Sequence, residues 1–346
     1  MKKTLVILSA VLVSAASFFI ASCKKSEKNT ITLYSRAGYI PSSVIEKFET
    51  EYGAKVKIKS FDSSEKMFKE VCSSKDYDVV ISPLEITSKL IDKKVLSKIN
   101  MEKFPNKSKI NPKCLSRVEI GDKEMAYSVP FCMSAVGIIV NKKNVKDYPR
   151  NYTIFQKKDY TGHMTMLNDM RISLGAALKQ CGYSLNTTDK AQIKEAAKLL
   201  KYQWAPNLLK FDSEDYGKML AAGNFWVCQG SADVVLNAVA ENEQKQTVDF
   251  FVPEAGAPAC FDSFVIPKKA QNYDLAMKFI DFCHKSEIYA EILDSTRSPA
   301  YINLEAEKFT KKKPLYSRST LSRCEIILDK GDASELYRQS WENIKF

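Results

Sequence analysis

The residues best suited to catalysis do not form a recognisable catalytic pattern. The chain has only two histidines, His163 and His284, beside nine cysteines. Cys283 and His284 are adjacent on a predicted helix, where neighbouring side chains point in different directions, and this disfavours a nucleophile–base pair. The motifs G-x-S-x-G, G-x-x-x-x-G-K-[ST], H-E-x-x-H, G-x-G-x-x-G and C-x-x-C are all missing from the sequence. We therefore expect a protein that is not an enzyme and has no resident metal or cofactor.

Cys23 is the residue whose chemistry is most clearly predicted. A short basic start precedes residues 5–20, which are almost all apolar or small. Sixteen such residues suit the hydrophobic region of a signal peptide, whereas a membrane-spanning helix needs about 20. The sequence I-A-S-C at residues 20–23 is typical of a bacterial lipoprotein cleavage site, whose cysteine thiol receives a diacylglyceryl group. The alternative is an ordinary secretory signal followed by a chance cysteine.

These features predict where the mature protein lies. Residues 1–22 would be a lipoprotein signal peptide, and the mature chain would begin at lipid-modified Cys23. We expect acyl chains to hold it on the periplasmic side of a bacterial membrane, with residues 23–30 as a flexible tether.

The composition is that of a globular protein. The 346 residues are 45% hydrophobic and 27% charged, which excludes disordered, fibrous and polytopic membrane proteins. The 52 Lys and Arg against 41 Asp and Glu give a formal net charge of +11, but the positive residues are scattered. No nucleic acid partner is therefore expected. The eight cysteines after Cys23 are irregularly spaced; we predict that most are small buried residues, and their pairing is not determined.

The order of the predicted elements indicates an α/β protein. Residues 30–34 and 55–58 are predicted strands, separated by a helix that starts at the S-x-x-E capping box of residues 43–46. A helix at 64–72 then leads to the apolar run 78–81, which is typical of a strand buried in a parallel sheet. Later strands are predicted at 164–167, 224–228, 248–252 and 261–266, and later helices at 170–181, 191–202, 231–240, 274–283 and 288–293. No Gly/Ser/Pro-rich linker separates the halves, so we expect two tightly joined lobes with ligand binding where strands lead into helices.

Six segments of the chain resemble one known family. They are L-Y-S-R-A-G-Y-I-P at 33–41, F-E-x-x-Y-G at 48–53, Y-D-V-V at 77–80, Y-S-V-P at 127–130, G-Y-S-x-N-T-T-D at 182–189 and D-S-x-x-x-I-P at 262–267. They follow the order found in the bacterial spermidine/putrescine-binding proteins of ABC importers. The resemblance implies a two-lobed periplasmic-binding-protein type II fold with an interlobe ligand cleft and a hinge. It places residues 31–133 and 263–303 in the first lobe, and residues 134–262 and 304–346 in the second.

The same resemblance implies a function. The protein would bind spermidine or putrescine in the cleft and deliver it to an ABC permease in the membrane. Such a ligand needs carboxylates near its ammonium groups and aromatic faces along its methylenes. Asp169 and Asp262 match the family's carboxylates, and Tyr39 matches an aromatic residue in the first strand–helix loop. Each has a structural alternative: Asp169 as a helix cap, Asp262 as a brace of the hinge, and Tyr39 as packing under the first helix.

Several positions depart from the family pattern. Arg36 stands where the family usually has tryptophan, and Ile172 replaces a glutamate that grips an inner amine. Glu85 stands where an aromatic is expected and is a possible gain of a carboxylate. Cys228 and Cys260 replace two further tryptophans, Ser298 replaces a late aromatic, and Ile327 replaces a glutamine. Neighbouring aromatics that could compensate are Phe261, Trp226 and Tyr301. The predicted ligand-binding residues are thus Arg36, Tyr39, Glu85, Asp169, Asp262 and Ser298.

Arg36 keeps a second ligand class open. A guanidinium in the cleft disfavours a polycation unless it pairs with Glu85 or points away. The alternative keeps the fold and the transport role but has a different small organic solute, such as an amino acid or another organic ion held partly by Arg36. A surface adhesin or antigen would have no cleft with convergent charge, and an enzyme ranks last.

Overall fold

The computed structural model describes residues 29–61, 63–73, 76–118 and 121–345. The predicted signal peptide, Cys23 and most of the predicted tether lie outside these residues. In chain order the described strands are β1 (Thr30–Ser35), β2 (Lys55–Ser60), β3 (Val79–Pro83), β4 (Ser128–Ala135), β5 (Gly137–Asn141), β6 (Met164–Met166), β7 (Leu208–Phe211), β8 (Val227–Gly230), β9 (Val248–Phe251), β10 (Pro258–Val265) and β11 (Glu325–Ile326).

The described α-helices follow the same alternation. They are α1 (Ser42–Tyr52), α2 (Ser64–Ser73), α3 (Leu84–Asp92), α4 (Pro112–Val118), α5 (Met170–Gln180), α6 (Lys190–Leu199), α7 (Tyr216–Ala221), α8 (Ala232–Ala238), α9 (Glu241–Thr247), α10 (Tyr273–Cys283), α11 (Ser286–Thr296), α12 (Arg318–Ser322) and α13 (Ser334–Lys345). No helix in these ranges is both long enough and apolar enough to cross a membrane.

The first lobe is built on a mixed sheet. Its strand order is β11-β10-β3-β1-β2, and β4 pairs with β10 outside this path. β1 pairs in parallel with both β2 and β3, so α1 and α2 are crossover connections between parallel strands. α1 buries Val44, Ile45 and Phe48, the face that its apolar spacing predicts. The predicted β-α-β-α-β start is therefore confirmed.

The second lobe has a separate sheet with the strand order β7-β6-β8-β5-β9. β6 runs parallel to β7 and β8, whereas β5 is antiparallel to β8 and β9. The carboxyl ends of β6, β7 and β8 therefore lie at one edge of the sheet, and each leads into a helix. This edge is where an open α/β sheet binds ligands.

The chain passes between the lobes at Val136, at residues 252–257 and after β11. The first crossing is a single residue between β4 and β5. A Cβ atom on the next residue, Gly137, would lie 2.6 Å from the carbonyl oxygen of Phe251. Glycine at this position therefore allows β5 and β9 to approach closely directly beside the crossing.

The lobe boundaries of the sequence analysis stay a prediction, and the strand pairing favours a revised version. Boundaries at 133/134 and 262/263 fall inside β4 and β10, which pair with each other along their length. β11 pairs with β10, whereas the C-terminal α13 packs Tyr337 and Trp341 into the second core. We propose residues 29–135 and 258–326 for the first lobe, and 137–251 and 334–345 for the second.

The described cysteines are mostly interior residues. Six of the eight are buried, and none of the eight forms a disulfide. They contribute small apolar volume to the two cores, as their placement in apolar stretches predicts.

Candidate functional site

A cavity of about 410 Å³ lies between the two lobes. Its walls are the loops that follow β1, β2, β6, β7 and β8, together with residues of β4 and β10. Its charged and aromatic lining residues are the carboxylates Glu65, Asp169, Glu214 and Asp233, the cations Arg36 and Lys66, and the rings of Tyr39, Phe61 and Tyr216. The cavity therefore combines negative charge with aromatic surface, at the strand ends where the sequence analysis expects a ligand.

Asp169 caps a helix and lines the cavity at the same time. Its carboxylate accepts a hydrogen bond from the backbone N–H of Ile172, 3.0 Å away, at the start of α5. Burial raises the pKa of Asp169, although this hydrogen bond and the positive charge of Arg36 oppose the rise. The capping alternative is confirmed, and it leaves the carboxylate half-buried at the cavity wall, where ionisation is unfavourable without a nearby cation.

Asp233 occupies an equivalent position that the sequence analysis missed. It lies in the first turn of α8, directly after β8, and lines the cavity. Burial raises the pKa of Asp233, while the charge of Arg36 lowers it and that of Asp262 raises it further. The available signal was an acidic residue just inside a helix that follows a strand, the same arrangement that places Asp169 at a strand end.

Tyr39 and Asp262 form a buried pair at the first-lobe wall. The Tyr39 hydroxyl donates a hydrogen bond to Asp262 Oδ2, and its ring packs edge-on against Phe131 with centroids 5.1 Å apart. Asp262 is only 1% exposed and does not line the cavity, whereas its hydrogen-bond partner Tyr39 does. In the described part of the chain, Asp262 Oδ1 has no hydrogen-bond partner. Burial raises the pKa of Tyr39, and the Asp262 carboxylate adds to the rise.

Arg36 brings a positive charge to this wall. Its Nη1 lies 4.0 Å from Cys260 Sγ, and both residues line the cavity. Cys260 and Asp262 are two residues apart on β10, so their side chains point to the same face of the sheet. Burial by itself would lower the pKa of Arg36, but the negative charge of Asp262, together with smaller contributions from Cys260 and Tyr39, holds this pKa well above its usual value.

Glu85 belongs to the same electrostatic cluster but does not line the cavity. It lies in the first turn of α3 and is half-buried. Burial raises the pKa of Glu85 to about 7, and the charges of Asp169 and Asp262 contribute to the rise while Arg171 opposes it. Glu85 therefore changes charge near neutral pH without direct access to the cavity.

The remaining predicted positions divide into two groups. Ser298 lines the cavity, with its hydroxyl 3.3 Å from that of Tyr316. Phe261, Trp226 and Tyr301 are not lining residues: Phe261 is buried in the first core, Trp226 stacks on His163, and Tyr301 packs against the first core. None of these three candidate aromatics therefore contributes to the lining of the cavity.

Two aromatics that the sequence analysis did not single out, Phe61 and Tyr216, line the cavity instead. Of the other family departures, Ile172 and Cys260 line the cavity, whereas Cys228 is fully buried in the core cluster beneath them and is not a lining residue. Among the described residues, no group of three or more His, Cys, Asp or Glu side chains could hold a metal ion.

Known proteins resemble this chain in both sequence and structure. Residues 43–316 match the family of bacterial extracellular solute-binding proteins. The spermidine/putrescine-binding periplasmic protein of Escherichia coli (strain K12) is 28% identical over 345 residues, which cover 96% of each chain. The putrescine-binding periplasmic protein SpuD of Pseudomonas aeruginosa (strain UCBPP-PA14) is 30% identical over 291 residues, covering 79% of this chain and 78% of that protein. The TpPotD lipoprotein of Treponema pallidum superposes with a TM-score of 0.87 and 38% identity, covering 92% of this chain and 99% of the other.

The contact between Tyr39 and Asp262 makes a stability prediction. Tyr39→Phe removes the hydroxyl that serves a buried carboxylate, and we expect the free energy of unfolding to fall by about 1–3 kcal/mol in urea titrations. The control is Tyr183→Phe, whose hydroxyl donates to Glu195 at the surface, 2.8 Å away. We expect a loss of less than about 1 kcal/mol there, because water replaces an exposed partner. Equal losses in the two variants would contradict this account of the buried pair.

Proposed function

Because the chain belongs to the family of bacterial extracellular solute-binding proteins, we propose that it binds a polyamine, spermidine or putrescine, in the cavity between its lobes. It then delivers this ligand to the permease of an ABC importer. Relatives along nearly the whole chain are named for binding spermidine and putrescine, which supports the choice of ligand.

The carboxyl groups of the cavity wall are the observation that most strongly supports a cationic ligand. Asp169 and Asp233 are half-buried carboxyls of the second lobe whose pKa values are raised by burial, so each lacks the solvation that an ionised carboxylate needs. Glu65 and Glu214 are exposed at the rim of the same cavity, one from each lobe. An ammonium group supplies the missing positive charge, and charge-assisted N–H···O bonds form at the same time.

The aromatic lining suits the rest of a polyamine. Tyr39 and Phe61 lie on the first lobe, and Tyr216 lies on the second. Rings on opposite walls can cover the methylene groups of an extended ligand and present their faces to its ammonium groups. Closure of the lobes about the crossings at Val136 and residues 252–257 would then remove the ligand from water.

The amino-acid alternative is less well supported. It needs Arg36 to be available for a ligand carboxylate. Arg36 instead has the Asp262 carboxylate as its main electrostatic partner, and it also interacts with Asp169 and Asp233. A guanidinium with three anionic neighbours gains little from a fourth.

We further propose a purely binding role at the membrane surface. Cys23 carries the lipid anchor, the membrane permease is the partner, and the protein lies on the periplasmic side.

A nucleophile–base pair is not found at the described cavity. Cys132 and Cys260 line the cavity, whereas His284 bonds to the backbone carbonyls of Ile280 and Pro130, each 2.8 Å away.

Isothermal titration calorimetry on refolded protein, freed of carried ligand, tests the ligand class. We expect putrescine to bind with a Kd in the micromolar range or tighter, and Asp233→Asn to weaken binding by about tenfold or more because an ammonium loses its charged partner. The control, Asp274→Asn, changes an exposed carboxylate of α10 that pairs with Lys103 at 2.6 Å, and should leave the Kd unchanged. Folded wild-type protein that binds neither putrescine nor spermidine would refute the proposal.

The raised pKa values predict a pH dependence of binding. A cationic ligand prefers ionised carboxylates, and Glu85, with a pKa of about 7, becomes protonated as the pH falls through neutrality. Polyamine affinity should therefore decrease several-fold from about pH 8 to about pH 5.5, and binding near pH 7 should release protons. Calorimetry in two buffers of different ionisation enthalpy measures the release. Glu85→Gln should flatten the profile, and a flat wild-type profile would contradict the role of these carboxyls.

The anchor is tested by Cys23→Ser in bacteria that process lipoproteins. We expect the variant to lose labelled palmitate and to leave the membrane fraction, because its only predicted acyl attachment is gone. Cys72→Ser, a half-buried cysteine of α2, is the control and should keep both the label and the location. A Cys23→Ser protein that remains labelled would show that the anchor was assigned to the wrong residue.

A further inference from the structure

Arg36 is held in place at the centre of the charged cluster. Its backbone carbonyl accepts hydrogen bonds from the N–H of Tyr39 at 3.3 Å and from the hydroxyl of Ser35 at 3.1 Å. Gly38, with φ +71°, completes this turn in a conformation that favours glycine. The turn follows β1 directly, so Arg36 is fixed at a strand end on the cavity wall.

The guanidinium of Arg36 interacts with carboxyls from both lobes. Asp262 lies on β10 of the first lobe, whereas Asp169 and Asp233 lie at the starts of two helices of the second lobe. Arg36 lines the same cavity as Asp169 and Asp233, and its Nη1 lies 4.0 Å from Cys260 Sγ, two residues from Asp262 on β10. The charges of all three carboxyls act on Arg36 at this site. The Arg36 guanidinium thus compensates part of the negative charge that an ammonium group of the ligand would otherwise compensate.

We infer that Arg36 is a resident cation that replaces one ammonium group of the ligand, so that the cavity prefers a diamine to a triamine. The inference rests on the proposed function, since it concerns which polyamine the same cavity takes. Asp262 is the carboxylate whose charge Arg36 compensates most, and the Tyr39 hydroxyl also donates a hydrogen bond to it.

The charge of the ligand, rather than its size, determines whether the cavity prefers putrescine or spermidine. A cavity of about 410 Å³ is within the range that accommodates whole small-molecule ligands, so volume does not separate putrescine from spermidine. A third ammonium group in the cavity would add a positive charge to a wall that already carries the guanidinium of Arg36. Like charges in a site with little water repel strongly, and such repulsion is a common source of specificity. A diamine brings one positive charge fewer into the cavity and therefore meets less of this repulsion.

The test compares putrescine and spermidine by calorimetry, using the ratio of the two Kd values. Wild-type protein should bind putrescine more tightly. Arg36→Gln should shift the ratio towards spermidine by about tenfold or more, because one positive charge leaves the wall beside Asp262. Arg36→Lys keeps the charge and should keep the wild-type preference.

Lys66→Gln is the matched control, since Lys66 is the other cation of the lining but is exposed at the rim. Lys66→Gln should lower the Kd values of putrescine and spermidine to a similar extent and leave the ratio of the two Kd values unchanged. An unchanged ratio in folded Arg36→Gln would overturn the inference while the proposed function stands. If Arg36→Gln does not fold, the wild-type ratio decides, and spermidine bound as tightly as putrescine overturns the inference. A wild-type protein that binds neither amine would instead refute the proposed function.

Discussion

Carboxyl groups that are partly removed from water need a positive charge, and this requirement organises the cleft. Asp169 and Asp233 are held at helix starts on the second lobe, and burial raises the pKa of both. Asp262 is more deeply buried on the first lobe. Without a nearby cation, ionisation of Asp169 and Asp233 is unfavourable. The guanidinium of Arg36 supplies part of this positive charge, and a cationic ligand supplies the rest.

The two sheets explain why these groups meet. Strands β1 and β2 of the first lobe, and β6, β7 and β8 of the second, end at the cavity, and each is followed by a turn or a helix start that carries a lining side chain. The lobes are joined by short crossings beside β4 and β10, which belong to the cavity wall themselves. A hinge motion about these crossings changes the distance between the carboxylates of the two lobes while each sheet stays intact.

The sequence predicts those parts of the molecule that depend on local patterns. Apolar spacing identifies α1, and a continuous apolar run identifies β3, because both signals lie within a few residues. The predicted capping box at 43–46 is wrong: the N-cap of α1 is Pro41, no side chain caps the helix, and the Ser43 hydroxyl bonds to Glu291 instead. Asp169 is placed correctly at a strand end for the same reason. Boundaries are less well predicted: the helix expected over 191–202 ends at Leu199 and continues as a π-helical turn, Leu200–Trp204.

Long-range contacts account for what the sequence does not predict. Asp262 is buried and accepts a hydrogen bond from the hydroxyl of Tyr39, which lies 223 residues earlier in the chain. Phe261 precedes Asp262 on β10 and, since side chains alternate along a strand, it points into the first core instead of the cavity. Phe61 and Tyr216 join the site only when the two lobes come together, and no local pattern distinguishes them from ordinary loop and helix-start residues.

A crystal structure of the protein with putrescine would show which carboxylates hold the ligand. The account predicts a diamine between the lobes, with ammonium nitrogens about 3 Å from carboxylate oxygens of Asp169 and Asp233, and with Arg36 still beside Cys260 and Asp262. Putrescine bound outside the cleft, or an ammonium group at Asp262 with Arg36 displaced, would contradict it.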